Sequence, residues 1–327
     1  HYVNQNVAGW HYEMYRPWRH YDVVIFLKSM GERAHDLLTR LQARGIPCVF
    51  DVNVNYFDSG GTEYYTDMFP SQSQMEDVRL MVRSATAVIA DSEFISGQCS
   101  EFNSRTVWIP DVVDTTIAPY SPWAPDGKRL RLLWSGQAVK LFELLAAEEA
   151  LLAWRDRLEL VLVTNDLGAL DRVYPEVRAR LESLLASLTV TVVPYRSISQ
   201  LFSVYADGGV FISPRFLDNR YNLGHTEWKI TLAMACGRVA LCSPVPSYEC
   251  VAKRTGGKGI RICHGSQDWH NAFDELSSGH FNWETESVAA RDVVEQYYAP
   301  ASNAPEHLTF MESVLNNPGM DSITSKK

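Results

Sequence analysis

The stretch "GHTEWKITLAMACGRVALCSP", Gly224 to Pro244, decides how this chain is read. Its later part is regular. "WKITLAMACG" is a short apolar helix closed by Gly237, and "RVALCSP" is a buried strand stopped by Pro244. An uninterrupted apolar strand fed by a helix belongs to a parallel sheet covered on both faces. The earlier part is irregular. The polar run "DNRYNLGHT" leads directly into the helix, and Lys229 stands in the first turn, where the helix dipole disfavours a cation.

Outward from this stretch the same strand–helix rhythm appears twice. Residues 21–29 ("YDVVIFLKS"), 47–54 ("PCVFDVNV"), 87–92 ("AVIADS") and 106–110 ("TVWIP") read as strands. The intervening segments at 32–45, 74–85 and 93–102 carry helical spacing, as at Leu37, Leu38 and Leu41, with Ser92 placed to cap the last. The rhythm restarts with strands at 130–136, 158–166, 188–195, 209–214 and 259–265, alternating with helices at 138–154, 173–187, 197–208 and 266–279. A proline-rich stretch with a "PDG" turn lies between the two sets. The expected organisation is a first α/β domain over 1–118, a linker over 119–128 that acts as a hinge, a second over 129–290, and a helix with a mobile tail over 291–327. A start at His1 rather than Met implies that residues precede it.

Composition narrows the function. With 30 Lys and Arg against 39 Asp and Glu the net charge is −9. That argues against broad nucleic-acid binding, which rests on phosphate neutralisation, yet permits a local pocket for a small anion. No run of 18 apolar residues spans a membrane and no signal pattern opens the chain, so at most a peripheral membrane contact is expected. The 6 cysteines form no CxxC and read as reduced core residues of a cytoplasmic protein. Histidines and cysteines never cluster at metal-ligand spacing.

Ligands of parallel sheets bind at the carboxyl ends of strands, so polar residues there carry the functional reading. In "WSGQAVK", Gly136 and Gln137 turn a strand into a helix whose first N–H groups can cradle phosphate, with Lys140 as counter-charge. An ordinary tight turn with a surface lysine fits the same letters. His225, Thr226 and Lys229 repeat the arrangement, and a bound diphosphate would turn the unfavourable lysine into a favourable one. The alternative is a lysine reaching out to solvent. Tyr195 and Arg196, at another strand end, suit a nucleobase or a capped surface turn equally well. Asp51, Asn53 and Asn55 alternate along "DVNVN", which sends them to one face, as hydroxyl-rich ligands or a polar sheet edge would require.

These motifs carry a resemblance. "LRLLWSGQAVK", "VTVVPYRSISQLFSVYADGGVFISP" and "GHTEWKITLAMACGRVALCSPVPSY" resemble the donor domain of GT-B glycosyltransferases of the retaining family 4 type, and the likeness extends over about residues 20–280. It implies two Rossmann-like, doubly wound domains facing across a cleft. A nucleotide-diphosphate sugar would be co-substrate on the second domain, without a separate cofactor or metal. A glycan, lipid-linked sugar or other hydroxyl acceptor would sit on the first, at Asp51, Asn53 and Asn55. Phosphate contacts would fall to Gly136, Gln137, Lys140, His225, Thr226 and Lys229, and base or ribose contacts to Tyr195, Arg196 and Glu227. The chain departs from the family at Leu232, where relatives usually carry Glu and sometimes Gln, at Gly224, where the family's first carboxylate falls, and at Gln137, where arginine is often found. Other readings are a GT-B-fold nucleotide-sugar epimerase and a catalytically inactive nucleotide-sugar binder.

Overall fold

Short Val- and Ile-rich runs form ten strands among the described residues, all in parallel register. The structure is a computed structural model and describes residues 2–127 and 129–317. The tail "GMDSITSKK", expected to be mobile, lies outside the described residues. The chain divides into two units, the first made of His1–Asp58, Pro70–Pro110 and Pro300–Lys327, the second of Ser59–Phe69 and Asp111–Ala299.

In the first unit, β1 (Val24–Leu27), β2 (Cys48–Val52), β3 (Ala87–Ala90) and β4 (Thr106–Trp108) lie in the order β1-β2-β3-β4. Period-two alternation sorts their side chains. Phe26, Phe50, Val88 and Ala90 pack on the helices Glu32–Gln42, Gln72–Ser84 and Glu93–Ser100, burying Leu38, Leu41, Met81 and Ile95. Ile25, Val49, Ala87 and Ile89 point the other way, onto Met311 and Val314 of the Pro300–Asn316 helix. Ser92 caps its helix as expected, accepting from the Ile95 N–H at 3.2 Å. Ser71 and Gln74 form a capping box at the start of the Gln72–Ser84 helix.

The second unit carries β5 (Leu130–Gly136), β6 (Leu158–Thr164), β7 (Val190–Pro194), β8 (Val210–Ser213), β9 (Ala240–Cys242) and β10 (Ile260–Ile262). Their order is β10-β9-β8-β5-β6-β7. The sheet is therefore doubly wound, and its order reverses between β5 and β8. Leu130, Leu132 and Trp134 face one helical layer with Leu158, Leu160 and Leu162, whereas Leu133, Val161 and Val163 face the other. That even–odd division is legible in "LRLLW" and "LELVLVT" themselves.

Four features differ from the sequence reading. The expected helix at 138–154 is a 3-10 helix over Ala138–Ala147, then an α-helix over Glu148–Ala153. Nearly every side chain of the first part is buried. The tighter coil stacks residues three apart, so Lys140 and Glu143 share one edge. A helix over Pro246–Thr255 follows β9 where only a strand stop was expected; Pro246 stands at its start, where a missing N–H does no harm. The proline-rich stretch belongs to the second unit and is tied down. Arg291 donates to the carbonyls of Thr115, Ala118 and Ala235, and Trp123 meets Trp283 edge-on at 5.2 Å. The units exchange chain at 58–59, 69–70, 110–111 and 299–300 instead.

The fourth is a strap. Residues Ser59–Phe69 leave the first unit's sequence and lie within the second. The ring of Tyr64 stacks on Phe142 at 4.8 Å and Phe216 at 4.6 Å, and Tyr65 is buried in the core. Gly61 bridges to Asn219 with φ +109°. A Cβ there would stand 2.2 Å from the Asp218 carbonyl oxygen, so only glycine permits this approach.

Candidate functional site

The end of β5 builds one side of a pocket at the point where strand order reverses. Ser135 and Gly136 complete the strand, Gln137 turns, and the Ala138 N–H donates to the Asn165 side-chain oxygen at 2.6 Å, tying the ends of β5 and β6 together. One of the N–H groups expected to be free for an anion is thus already used. Across the switch, β8 ends at Ser213, and Arg215 follows with its N–H on the Ser243 hydroxyl at 2.8 Å. Asn219 caps the short Arg220–Leu223 helix, and the chain then enters the Trp228–Ala235 helix through His225 and Thr226. The Ser247 hydroxyl holds the His225 carbonyl at 2.7 Å, and the Thr226 hydroxyl donates to the Asp111 carboxylate at 3.1 Å.

The result is a cavity of about 360 Å³ lined by Ser135, Gly136, Gln137, Lys140, Val163, Asn165, Tyr195, Ile198, Leu201, His225, Trp228, Lys229 and Leu232. Gly136, Gln137, Lys140, Tyr195, His225 and Lys229 of the sequence-derived set meet there. A Cβ on Gly136 would stand 2.8 Å from the Trp134 ring and 2.9 Å from Lys229 Nζ, so the glycine is what lets the ammonium lie against the backbone. That ammonium also sits 5.8 Å from the Trp134 ring centroid.

The charge balance at this cavity is lopsided. Lys140, 9% exposed, donates to the Tyr221 hydroxyl at 2.7 Å and approaches His225 Nε2 at 3.4 Å. Arg215, 6% exposed, stands behind them and meets one carboxylate, Glu143, at 3.5 Å. Glu143 is itself held by the Phe216 N–H and the Asn222 amide, both at 2.9 Å. Desolvation pushes the Glu143 carboxyl up, while Arg215 pulls it down. Lys229 lies well below the usual lysine range because it is desolvated and faces Arg215 and Lys140. His225 lies well below its ordinary value for the same reasons, so its ring is neutral near pH 7 and can accept from Lys140. Three basic side chains and an imidazole thus share a single carboxylate, a deficit that a bound anion would fill.

The remaining sequence-derived residues stand elsewhere. Arg196 and Thr226 do not line the cavity, and the Arg196 N–H is used by the Gln200 side chain at 2.8 Å. Glu227, placed by sequence on the base or ribose, is fully buried away from the cavity. Burial, with Asp111 adding to it and Arg254 opposing, pushes its carboxyl up to about 8. In the first unit β2 ends at Val52, so alternation stops before Asn53 and Asn55 and the three side chains do not share a strand face. Asn55 is buried and accepts from the Phe57 N–H at 3.1 Å, a local turn of the Asx kind. The Asn53 side-chain oxygen is buried without a hydrogen bond. Glu143, Arg215, Tyr221 and Asn165 were missed. One signal was available for Glu143, a lone charge in the apolar run "LFELLAA".

No family model and no curated protein matches the chain. Solved structures do. A glycosyltransferase from Rickettsia africae is 14% identical, with a TM-score of 0.65, over 90% of this chain and 77% of that one. HepE from Anabaena, in complex with UDP and glucose, is 16% identical with a TM-score of 0.67 over 90% and 78%. Sucrose-phosphate synthase from Thermosynechococcus elongatus is 16% identical with a TM-score of 0.63 over 90% and 74%. At such identities the likeness establishes the fold: the chain has an α/β fold of the GT-B type.

Proposed function

We propose that this protein is a glycosyltransferase that moves a sugar from a nucleoside diphosphate sugar to a hydroxyl group of an acceptor. The observation that carries this reading is the cavity at the β5–β8 switch, where Lys140, Lys229 and His225 line a space and Arg215 stands behind them with one carboxylate, Glu143. A diphosphate supplies the missing negative charge. The complexes of HepE with UDP and with UDP-glucose support the choice of ligand.

In this reading Lys140 and Lys229 bind the two phosphates and stabilise the charge that grows on the leaving diphosphate as the anomeric C–O bond breaks. The Gly136 turn brings backbone close to the same oxygens. Arg215, held by Glu143, acts from behind through its field. The acceptor oxygen attacks the anomeric carbon on the face the diphosphate leaves, and its proton passes to the departing phosphate oxygen. Configuration is then retained, and the lysines do the electrostatic work a metal would otherwise perform. Asp51, Asn53 and Asn55 are proposed for the acceptor hydroxyl. The acceptor is a glycan, a lipid-linked sugar or a smaller hydroxyl compound, and the enzyme works in the cytoplasm, consistent with six free cysteines. No described helix is long and apolar enough to cross a membrane.

Titration calorimetry with UDP is the first test, followed by UDP release from a panel of UDP-sugars with and without EDTA, and by the anomeric configuration of the product from NMR couplings. Failure of every nucleoside diphosphate to bind would end this reading. Turnover lost on chelation and restored by Mn²⁺ would overturn the metal-free part alone, and an inverted product the retaining part.

A further inference from the structure

A lysine that meets an anion from a cavity wall must first be aimed, because its long flexible stem has much rotamer freedom to lose. At Lys140 the aim comes from Tyr221, whose oxygen accepts from the ammonium at 2.7 Å and whose ring centroid lies 4.6 Å from it. Tyr221 needs a hold of its own. It stands on the Arg220–Leu223 helix, a single turn of 4 residues, too short to be stable by itself.

The Ser59–Phe69 strap supplies that hold. The Arg220 N–H donates to the Gly60 carbonyl at 2.9 Å, and the Thr62 N–H to the Asp218 carbonyl at 3.1 Å, so the strap pairs with the residues that open the helix. Further along, Tyr65 is bridged to Val173, and the Thr66 N–H donates to the Arg172 carbonyl at 2.9 Å. The strap is thus fastened before and after Tyr65. The Tyr65 side chain is buried, with Phe142 at 5.9 Å between ring centroids and the Arg172 guanidinium 5.6 Å from its own. From this fixed base its hydroxyl shares a hydrogen bond with the Tyr221 hydroxyl. One phenol oxygen is therefore engaged by Tyr65 and by Lys140 together. Neither tyrosine lines the cavity, whereas Lys140 does.

Resting on the reading of the cavity as a diphosphate site, we propose that Tyr65 is a positioning residue for it: the strap holds the Tyr65 hydroxyl on Tyr221, and Tyr221 in turn holds the Lys140 ammonium where the phosphate binds. Residues numbered within the first half of the fold then set the aim of a cation in the second, and they do so without touching the ligand.

Titration calorimetry on the full chain with UDP and with inorganic pyrophosphate decides it. Tyr65→Phe keeps the ring and its packing and deletes only the hydroxyl. It is expected to weaken both probes by about threefold, the effect of one hydrogen bond, because the change reaches the phosphates and not the nucleoside. On a Lys140→Met background the same substitution should change neither affinity. Tyr174→Phe is the control: it removes another hydroxyl that fastens the strap, at Glu63, and should leave both affinities as they are. Affinities unchanged in Tyr65→Phe overturn the proposal while leaving the nucleotide reading intact. A threefold loss that persists without Lys140 overturns it too, as does an equal loss in Tyr174→Phe, which would show that the strap acts through general stability. Pyrophosphate binding with no nucleotide binding ends the nucleotide reading alone, and Tyr65 is then decided on pyrophosphate. Binding of neither probe overturns both.

Discussion

The ammonium of Lys140 lies 2.7 Å from the hydroxyl of Tyr221 and 4.6 Å from the centroid of the same ring. One phenol thus holds the cation both by its oxygen and by its face. Burial alone would raise the Tyr221 hydroxyl, but Lys140 and Arg215 bring it below its ordinary value. Tyr221→Phe keeps the face and deletes the oxygen. It should weaken UDP binding by about 1 kcal/mol, the net contribution of one hydrogen bond, read by calorimetry. An unchanged Kd would mean that Lys140 needs no such anchor.

Lys229→Ala removes the charge proposed to contact the diphosphate. The expected loss is about 1.5–3 kcal/mol of UDP affinity, with the protein still folded by circular dichroism. Affinity within a factor of two of wild type would take Lys229 out of the site.

Binding should also carry protons. The free Lys229 amine is held well below the usual lysine range by burial, Arg215 and Lys140. A diphosphate beside it favours the charged form and raises that value. Uptake is therefore expected at pH values above the free-state pKa and below the bound-state one, and affinity falls as pH rises through that window. Calorimetry in buffers of different ionisation enthalpy measures the uptake directly. Zero uptake at every pH at which the protein stays folded would contradict it.

Glu227 makes a separate prediction about stability. Its carboxyl is pushed up to about 8, above its ordinary value of 4.5, so the folded state binds the proton more tightly than the unfolded one. The associated stability is full below the unfolded value and is lost as pH rises through about 8. Glu227→Gln, neutral at every pH, should flatten the decline in urea-unfolding free energy between pH 5 and 8. A parallel decline in the variant would assign it to other groups.

Gly61→Ala tests the strap. The added Cβ would meet the Asp218 carbonyl oxygen at 2.2 Å in a backbone conformation with φ +109°. Neither partner can yield without shifting backbone, so a loss of about 2 kcal/mol or more is expected from chemical unfolding. A loss under 0.5 kcal/mol would show the strap to be loosely held.

The fold was legible because its signals are local. The even–odd alternation in Leu130 to Trp134 and Leu158 to Val163 needs no partner to be read, and the Gly136 turn and Lys229 stand in contiguous words. Half of the cavity was legible for the same reason. The Glu143–Arg215 pair was not: Glu143 stands out as a lone charge in an apolar run, but its partner lies 72 positions away and nothing local points to it. The shared strand face expected of Asp51, Asn53 and Asn55 carried alternation past Val52, where the strand stops. Glu227 misled because the first turn of a helix offers a buried side as well as a pocket side, and its neighbour Thr226 turns toward Asp111.

The Ser59–Phe69 strap bears on how such a protein can be recombined. The second unit is assembled from two stretches of chain, and the shorter one supplies Tyr64 and Tyr65 to its interior. A chimera that grafts residues 111–299 alone would carry an aromatic-sized hole beside Phe142 and Phe216. Exchange of the second unit between proteins of this fold therefore requires a two-piece transplant, with a span of eleven residues inherited from the opposite half of the gene.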